Sequence, residues 1–66
     1  MDFIEKAEIR LKHWISHNDH HQEEYEAFAR ELKEAGYEES AEYLQEMMEM
    51  TAKATEALKK AIGALG

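Results

Sequence analysis

Residues suited to the line of contact between two packed helices, here called the seam, recur every seven positions along almost the whole chain. This repeat constrains the fold more than any other feature. Before the internal glycine at position 36, one row contains Ile4, Leu11, Asn18, Tyr25 and Leu32, and its companion contains Ala7, Trp14, His21, Phe28 and Ala35. After that glycine the rows are Leu44, Thr51, Leu58 and Leu65, and Ala41, Met48, Thr55 and Ile62. Two such rows per segment are typical of helices packed along a seam.

The only internal break in this pattern lies near position 36. The chain has no proline, and two of its three glycines lie close to the C-terminus. Gly36 is suited to end a helix because glycine takes the left-handed conformation cheaply. The sequence therefore predicts an all-α fold, with one αα-hairpin domain over residues 1–66 and helices of roughly 2–35 and 38–62.

The stretch from Ser16 to Asp19 leaves an alternative open. Ser16, Asn18 and Asp19 are poor residues for a helix interior and good N-caps, so the first helix could break near His17 and give three helices. The seven-residue register runs unchanged across the stretch, which favours one continuous helix.

A hairpin of this size needs further stabilisation. A chain of 66 residues buries only about 60% of its unfolded surface, and small scaffolds depend on a disulfide, a metal or a partner chain. The absence of cysteine leaves a metal held by other ligands, or oligomerisation. Because the apolar stripes are too wide for two helices to cover, we expect an antiparallel homodimeric four-helix bundle.

Charge and composition exclude several classes of function. A net charge of −7 disfavours nucleic acid and anionic membrane surfaces, both of which require basic surfaces. Neither a secretory signal nor a transmembrane run is apparent, so we expect a cytoplasmic protein. The sequence has no cysteine nucleophile and no glycine-rich phosphate loop, so we do not expect an enzyme.

All four histidines lie between positions 13 and 21, and they are the candidate metal ligands: His13, His17, His20 and His21. Residues three or four apart share a helix face, so His17 can reach each of the other three. Imidazoles spaced in this way can bind a divalent transition metal such as Ni, Zn, Co or Cu. The leading prediction is a protein that binds such a metal for metal handling rather than catalysis, with His17 as the central ligand.

A second interpretation remains open. Asn18, His21, Thr51 and Thr55 fall on seam positions at similar heights and predict a polar layer in the bundle. A buried polar residue can set register and oligomeric state. In that case the chain is a non-catalytic dimerisation or protein-interaction module, and any partner besides a second copy is not identified by the sequence.

The run from His13 to Tyr25 also carries a family resemblance. Its pattern, H-W-x-x-H-N-x-x-H followed by an acidic stretch and an aromatic residue, resembles that of small histidine-containing helical domains of bacteria and archaea. These are similar to helical segments appended to nickel-binding accessory proteins of the carbon monoxide dehydrogenase system, and to free-standing uncharacterised proteins. The resemblance implies that His13, His17 and His21 act together.

Overall fold

The computed structural model describes residues 2–66, and these form a hairpin of two long packed α-helices. Helix α1 spans Phe3–Glu34 and helix α2 spans Glu38–Ala64. The predicted hairpin is confirmed, with each helix end within two residues of its expected position; Met1 lies outside the described residues. Helix α1 continues without interruption through Ser16–Asp19, so the three-helix alternative is wrong.

Both ends of α1 have a local cause. The side chain of Asp2 caps α1 by accepting a hydrogen bond from the backbone N–H of Glu5 at 2.9 Å. At the other end, Gly36 takes a φ of 91°, the backbone N–H of Tyr37 donates to the carbonyl of Leu32 at 2.8 Å, and that of Gly36 donates to the carbonyl of Lys33 at 3.1 Å. This pair of bonds is a Schellman motif, which ends a helix at a left-handed glycine.

The seam between the helices uses both predicted rows of α2 but only one predicted row of α1. Half-buried or buried residues recur along α2 and its C-cap at intervals of three and four, and Met47 beside them is also half-buried. The residues of the seam are Ala41, Leu44, Met48, Thr51, Thr55, Leu58, Ile62 and Leu65. In α1 the corresponding residues are Leu11, Ile15, Asn18, Gln22, Tyr25, Ala29 and Leu32, and Ala7, Glu8 and His21 are half-buried as well. The prediction that the companion row of α1 forms the seam is wrong for its aromatic members, because Trp14 and Phe28 are 46% and 54% exposed.

The hairpin has almost no interior of its own. Among residues 2–66, the buried side chains are those of Ala41, Met48 and Thr55, all on α2. The molecule measures 51 × 16 × 10 Å and has a radius of gyration of 15.4 Å. A compact protein of this length would have a radius of about 11 Å, and one of twice the length about 14 Å. The hairpin is thus a single layer of helices rather than a closed domain.

The same substitution at two glycines should have opposite effects on stability. A Cβ added at Gly36 or Gly63 would have no described atom within 4 Å, and Gly36 alone of the two has a positive φ. We expect Gly36→Ala to lower the free energy of unfolding by about 1–2 kcal/mol because alanine is strained in the left-handed region. Gly63→Ala should raise it by about 0.5 kcal/mol because alanine is the better helix former. Urea denaturation at one fixed protein concentration checks both signs, and equal signs would contradict the cap assignment.

Candidate metal and docking site

A layer of polar side chains crosses the middle of the seam. The side-chain amide of Asn18 donates to the hydroxyl of Thr55 at 3.3 Å, and that hydroxyl donates to the carbonyl of Thr51 at 3.1 Å. The amide of Gln22 donates to the carbonyl of Met48 at 2.8 Å, across the helix pair. The predicted polar layer therefore exists in the hairpin, with one exchange of residue: Gln22 lies in it, and His21 does not.

His21 lies beside the seam rather than in it. Its side chain is 39% exposed, compared with 71% for the neighbouring His20. The expectation that His21 lies in the polar layer of the hairpin is wrong, because Asn18 and Gln22 are the residues of α1 that form it. Its ring stacks instead on Tyr25, with centroids 5.8 Å apart.

The four imidazoles form a string along one side of α1. The His17 ring lies between those of His13 and His21, with centroid separations of 6.1 Å and 4.4 Å respectively. The His17 and His21 rings meet edge to face at 84°. The His20 ring lies 6.2 Å from that of His21, on the outer edge of the string. Helical spacing thus places His17 at the centre, and His17 with His21 forms the closest pair.

Glu24 orients the imidazole of His21. Oε1 of Glu24 lies 2.8 Å from Nδ1 of His21 and 3.9 Å from Nε2 of His20. Because a carboxylate only accepts hydrogen bonds, Nδ1 of His21 carries the proton, and in the neutral ring the lone pair is then on Nε2. The carboxylate therefore lies closer to His21, three residues before it, than to His20, four residues before it. A carboxylate on the distal nitrogen is the usual partner of a metal-binding histidine.

One chain does not assemble a full coordination shell in this conformation. Within residues 2–66, no three His, Asp or Glu side chains lie close enough together to hold a metal ion. The structure places His13, His17, His20 and His21 along about two turns of helix, so it brings together pairs of ligands. A pair of imidazoles leaves at least two positions of a four-coordinate metal to be filled by other groups.

The two broad sides of the hairpin differ in polarity. One side has a groove lined by Glu26, Arg30, Lys33, Glu42 and Gln45 together with Ala29 and Ala41. The opposite side carries the remaining flanking rows, since equivalent flanks of antiparallel helices face the same way. Its outermost row on α1 is polar and consists of Arg10, His17, Glu24 and Glu31. We call the rest of this side the apolar face, and it consists of Ala7, Trp14, His21 and Phe28 of α1 with Tyr43, Met47, Met50, Ala54, Ala57, Ala61 and Ala64 of α2.

The apolar face does not make either helix a candidate membrane span. In the part of the chain that the structure describes, neither helix contains a segment long and apolar enough to cross a membrane. The histidine string borders this face: His21 belongs to it, His17 lies next to it, and His13 and His20 lie further round α1.

Comparison with known proteins assigns a family. Residues 7–65 match the model of a family described as a domain of unknown function, DUF8180. The chain belongs to this family. It is also 35% identical, over 63 residues, to an uncharacterized protein of Archaeoglobus fulgidus, and this match covers 96% of the chain and 100% of that protein. No solved structure matches the chain significantly.

The polar layer contains one unsatisfied atom, and its removal should stabilise the protein. Oε1 of Gln22 is buried and has no hydrogen-bond partner among the described residues. A buried unpaired acceptor costs about 1–3 kcal/mol, whereas the bond from Gln22 to the carbonyl of Met48 contributes about 1 kcal/mol. Gln22→Met removes both and keeps the shape of the side chain, so it should raise the free energy of unfolding by about 1 kcal/mol. Gln45→Met is the matched control, because Gln45 is exposed on α2. Urea denaturation measures both, and a loss of stability in Gln22→Met would contradict the assignment.

Proposed function

We propose that the chain is a self-associating helical module, in which two hairpins stack through their apolar faces as a four-helix bundle. The observation that carries this proposal is that a molecule with almost no core exposes several large apolar side chains on its apolar face. Trp14, Phe28, Tyr43 and Met50 are all exposed in the hairpin. Contiguous apolar surface of this kind marks an interaction site.

The dimensions of the hairpin support its association with a second hairpin. Its accessible surface is 5274 Å², whereas a folded monomer of this mass would expose roughly 4,300 Å². A face of 51 × 16 Å covers on the order of 800 Å², which is what each partner contributes to a standard interface. The matched archaeal protein has no residues outside the matched segment, so a chain of this length is a whole protein there.

Binding of a divalent transition metal through His13, His17, His20 and His21 is the second proposed function. The specific observation in its favour is the 4.4 Å contact between the rings of His17 and His21, with Glu24 holding the orientation of the latter. Nickel, zinc, cobalt and copper are the candidates because all accept imidazole ligands. The resemblance of the histidine run to segments of nickel-binding accessory proteins agrees with this proposal, and the role would be metal handling without catalysis.

A charge placed on the apolar face should weaken the dimer, whereas the same charge elsewhere on α1 should not. Phe28 and Ile9 are exposed to similar extents, 54% and 57%, but Ile9 lies in the row of Arg30, away from the apolar face. We expect wild type and Ile9→Glu to sediment as dimers at micromolar concentration. Phe28→Glu should weaken the dimer roughly tenfold or more, as is usual for a buried aromatic hot spot.

Sedimentation equilibrium gives the masses, and the emission of Trp14, the single tryptophan, gives a second readout. Burial of Trp14 in the dimer should shift its emission to the blue, and dilution should reverse the shift. A wild-type monomer with full helicity, or a Phe28→Glu variant as dimeric as Ile9→Glu, would contradict the proposal.

A further inference from the structure

We infer that the two hairpins stack with each helix antiparallel to its own copy, about a two-fold axis that crosses the apolar face beside His21 and Met50, and that opposite charges along the edges of that face set this register. This inference rests on the proposed dimer and deepens it. It specifies which helix of the partner each helix contacts, and which positions along the helices lie opposite each other.

Two rows of exposed polar and charged side chains border the apolar face, and we call them the rims. The rim of α1 is the polar outermost row of that side: Arg10, His17, Glu24 and Glu31. On α2 each rim residue lies four positions before a residue of the apolar face and is therefore its neighbour on the helix surface. The rim of α2 consists of Glu39, Glu46, Lys53 and Lys60.

Both rims change sign along the molecule in the same direction. The acidic residues lie toward the Gly36 turn, and the basic residues lie toward the opposite end of the hairpin, which we call the open end. Within residues 2–66, Arg10, Lys53 and Lys60 take part in no ion pair. Helix dipoles favour such an order of charges only in the first and last turns, yet the rim of α2 changes sign between Glu46 and Lys53, in the middle of that helix.

Two arrangements stack the apolar faces of two hairpins about a two-fold axis. If the axis runs along the helices, α1 covers the partner's α2 and the two open ends coincide. Like charges of the rims then meet, since Arg10 lies near the partner's Lys60 and Glu31 near the partner's Glu39. If the axis runs across the helices, each helix covers its own copy, and the basic open end of one hairpin covers the acidic turn end of the other. Only this second arrangement is complementary in charge, and we infer it for that reason.

The rim of α2 also indicates where the axis crosses that helix. An axis beside Met50 places Lys53 opposite the partner's Glu46, and Lys60 opposite the partner's Glu39. All four charged residues of this rim are thereby paired with a charge of opposite sign.

The apolar residues of α2 agree with the same axis. Large side chains lie on the turn side of Met50, and alanines lie on its open side. The antiparallel arrangement sets one group against the other, so that large side chains meet small ones: Tyr43 and Met47 against the partner's Ala54, Ala57, Ala61 and Ala64.

On α1 the corresponding axis lies beside His21. It places Arg10 of the rim opposite the partner's Glu31 and, in the neighbouring row of the apolar face, Trp14 opposite the partner's Phe28. The two aromatic side chains thus lie at equal distances from the axis, and each covers its counterpart in the partner.

The seam brings these two axis positions to the same level of the hairpin. Asn18 donates to Thr55, and Gln22 donates to the carbonyl of Met48. The axis position of each helix lies within the segment that these bonds join, so one axis serves both helices.

Reversal of charge on the rim of α2 tests the antiparallel arrangement. Lys53→Glu with Lys60→Glu makes this rim wholly acidic, and Glu39→Lys with Glu46→Lys makes it wholly basic. Because α2 lies on the partner's α2 in the inferred dimer, each double variant alone should dimerise roughly tenfold or more weakly than wild type. The two variants mixed should form a heterodimer as stable as the wild-type dimer. Sedimentation equilibrium measures both the loss and the recovery.

The matched control is Lys12→Glu with Lys59→Glu, which changes the charge equally near the same end of the hairpin but in rows of its polar side. At an ionic strength of about 0.1 M, charges more than ~10 Å apart are largely screened, so this variant should dimerise as wild type does. If α1 covered the partner's α2 instead, Lys60→Glu would place a carboxylate near the partner's Arg10. A tighter dimer of the acidic-rim variant would therefore overturn the inference.

Disulfide trapping locates the axis independently of charge. The chain has no cysteine, so an introduced one reports a single contact. Met50→Cys should form a disulfide-linked dimer on mild oxidation, because the two copies of position 50 meet at the axis. Ala57→Cys alone should not, because its two copies lie about 20 Å apart along the helices. A mixture of Ala57→Cys with Tyr43→Cys should form the linked dimer, because these positions lie opposite each other.

Sedimentation equilibrium of the wild type separates this inference from the proposed function, and circular dichroism verifies that the helices of each variant are intact. A wild-type dimer whose affinity does not respond to reversal of the α2 rim overturns the antiparallel register and leaves the self-association standing. The same holds if Ala57→Cys links to itself rather than to Tyr43→Cys. A wild-type monomer overturns both proposals.

Discussion

Each helix of a two-helix hairpin has one neighbour, and this limit on burial governs the rest of the structure. A helix with one neighbour can cover two rows of side chains, but α1 and α2 each carry further apolar residues beside those rows. The seam accordingly encloses little, with Met48 as its largest buried side chain. The long thin shape, the exposed aromatic residues and the difference in polarity between the two sides all follow from the same shortage of neighbours.

The sequence predicts the helices, the glycine turn and the seam of α2, but it does not decide which side of α1 faces α2. Two companion rows flank the line from Leu11 to Leu32, and both fit a seven-residue repeat. Hydrophobicity favours the row of Trp14 and Phe28, yet the seam uses Ile15, Gln22 and Ala29. One contact that periodicity does not reveal is the bond from the side chain of Gln22 to the carbonyl of Met48 in α2.

The order of the four imidazoles along α1 can be predicted from the sequence, but their contacts cannot. Helical spacing determines which rings are neighbours, so the central position of His17 follows from the sequence alone. It does not determine which side-chain rotamer is adopted, and therefore it could not show that Glu24 bonds His21 at 2.8 Å while remaining 3.9 Å from His20. A side chain on a helix can reach a neighbour three or four residues away, and its rotamer decides which of these contacts forms.

The polar layer connects the inside of the hairpin to its outer surface. Two hydrogen bonds cross the seam, from Asn18 to the hydroxyl of Thr55 and from Gln22 to the carbonyl of Met48, and they hold the two helices at one relative height. A slip by one helical turn would break these bonds. Since the apolar face is formed by the flanks of both helices, the register within one chain determines which side chains lie beside each other on that face. On this account the polar residues reduce the stability of the seam, as buried polar groups commonly do, and they specify the alignment on which the apolar face depends.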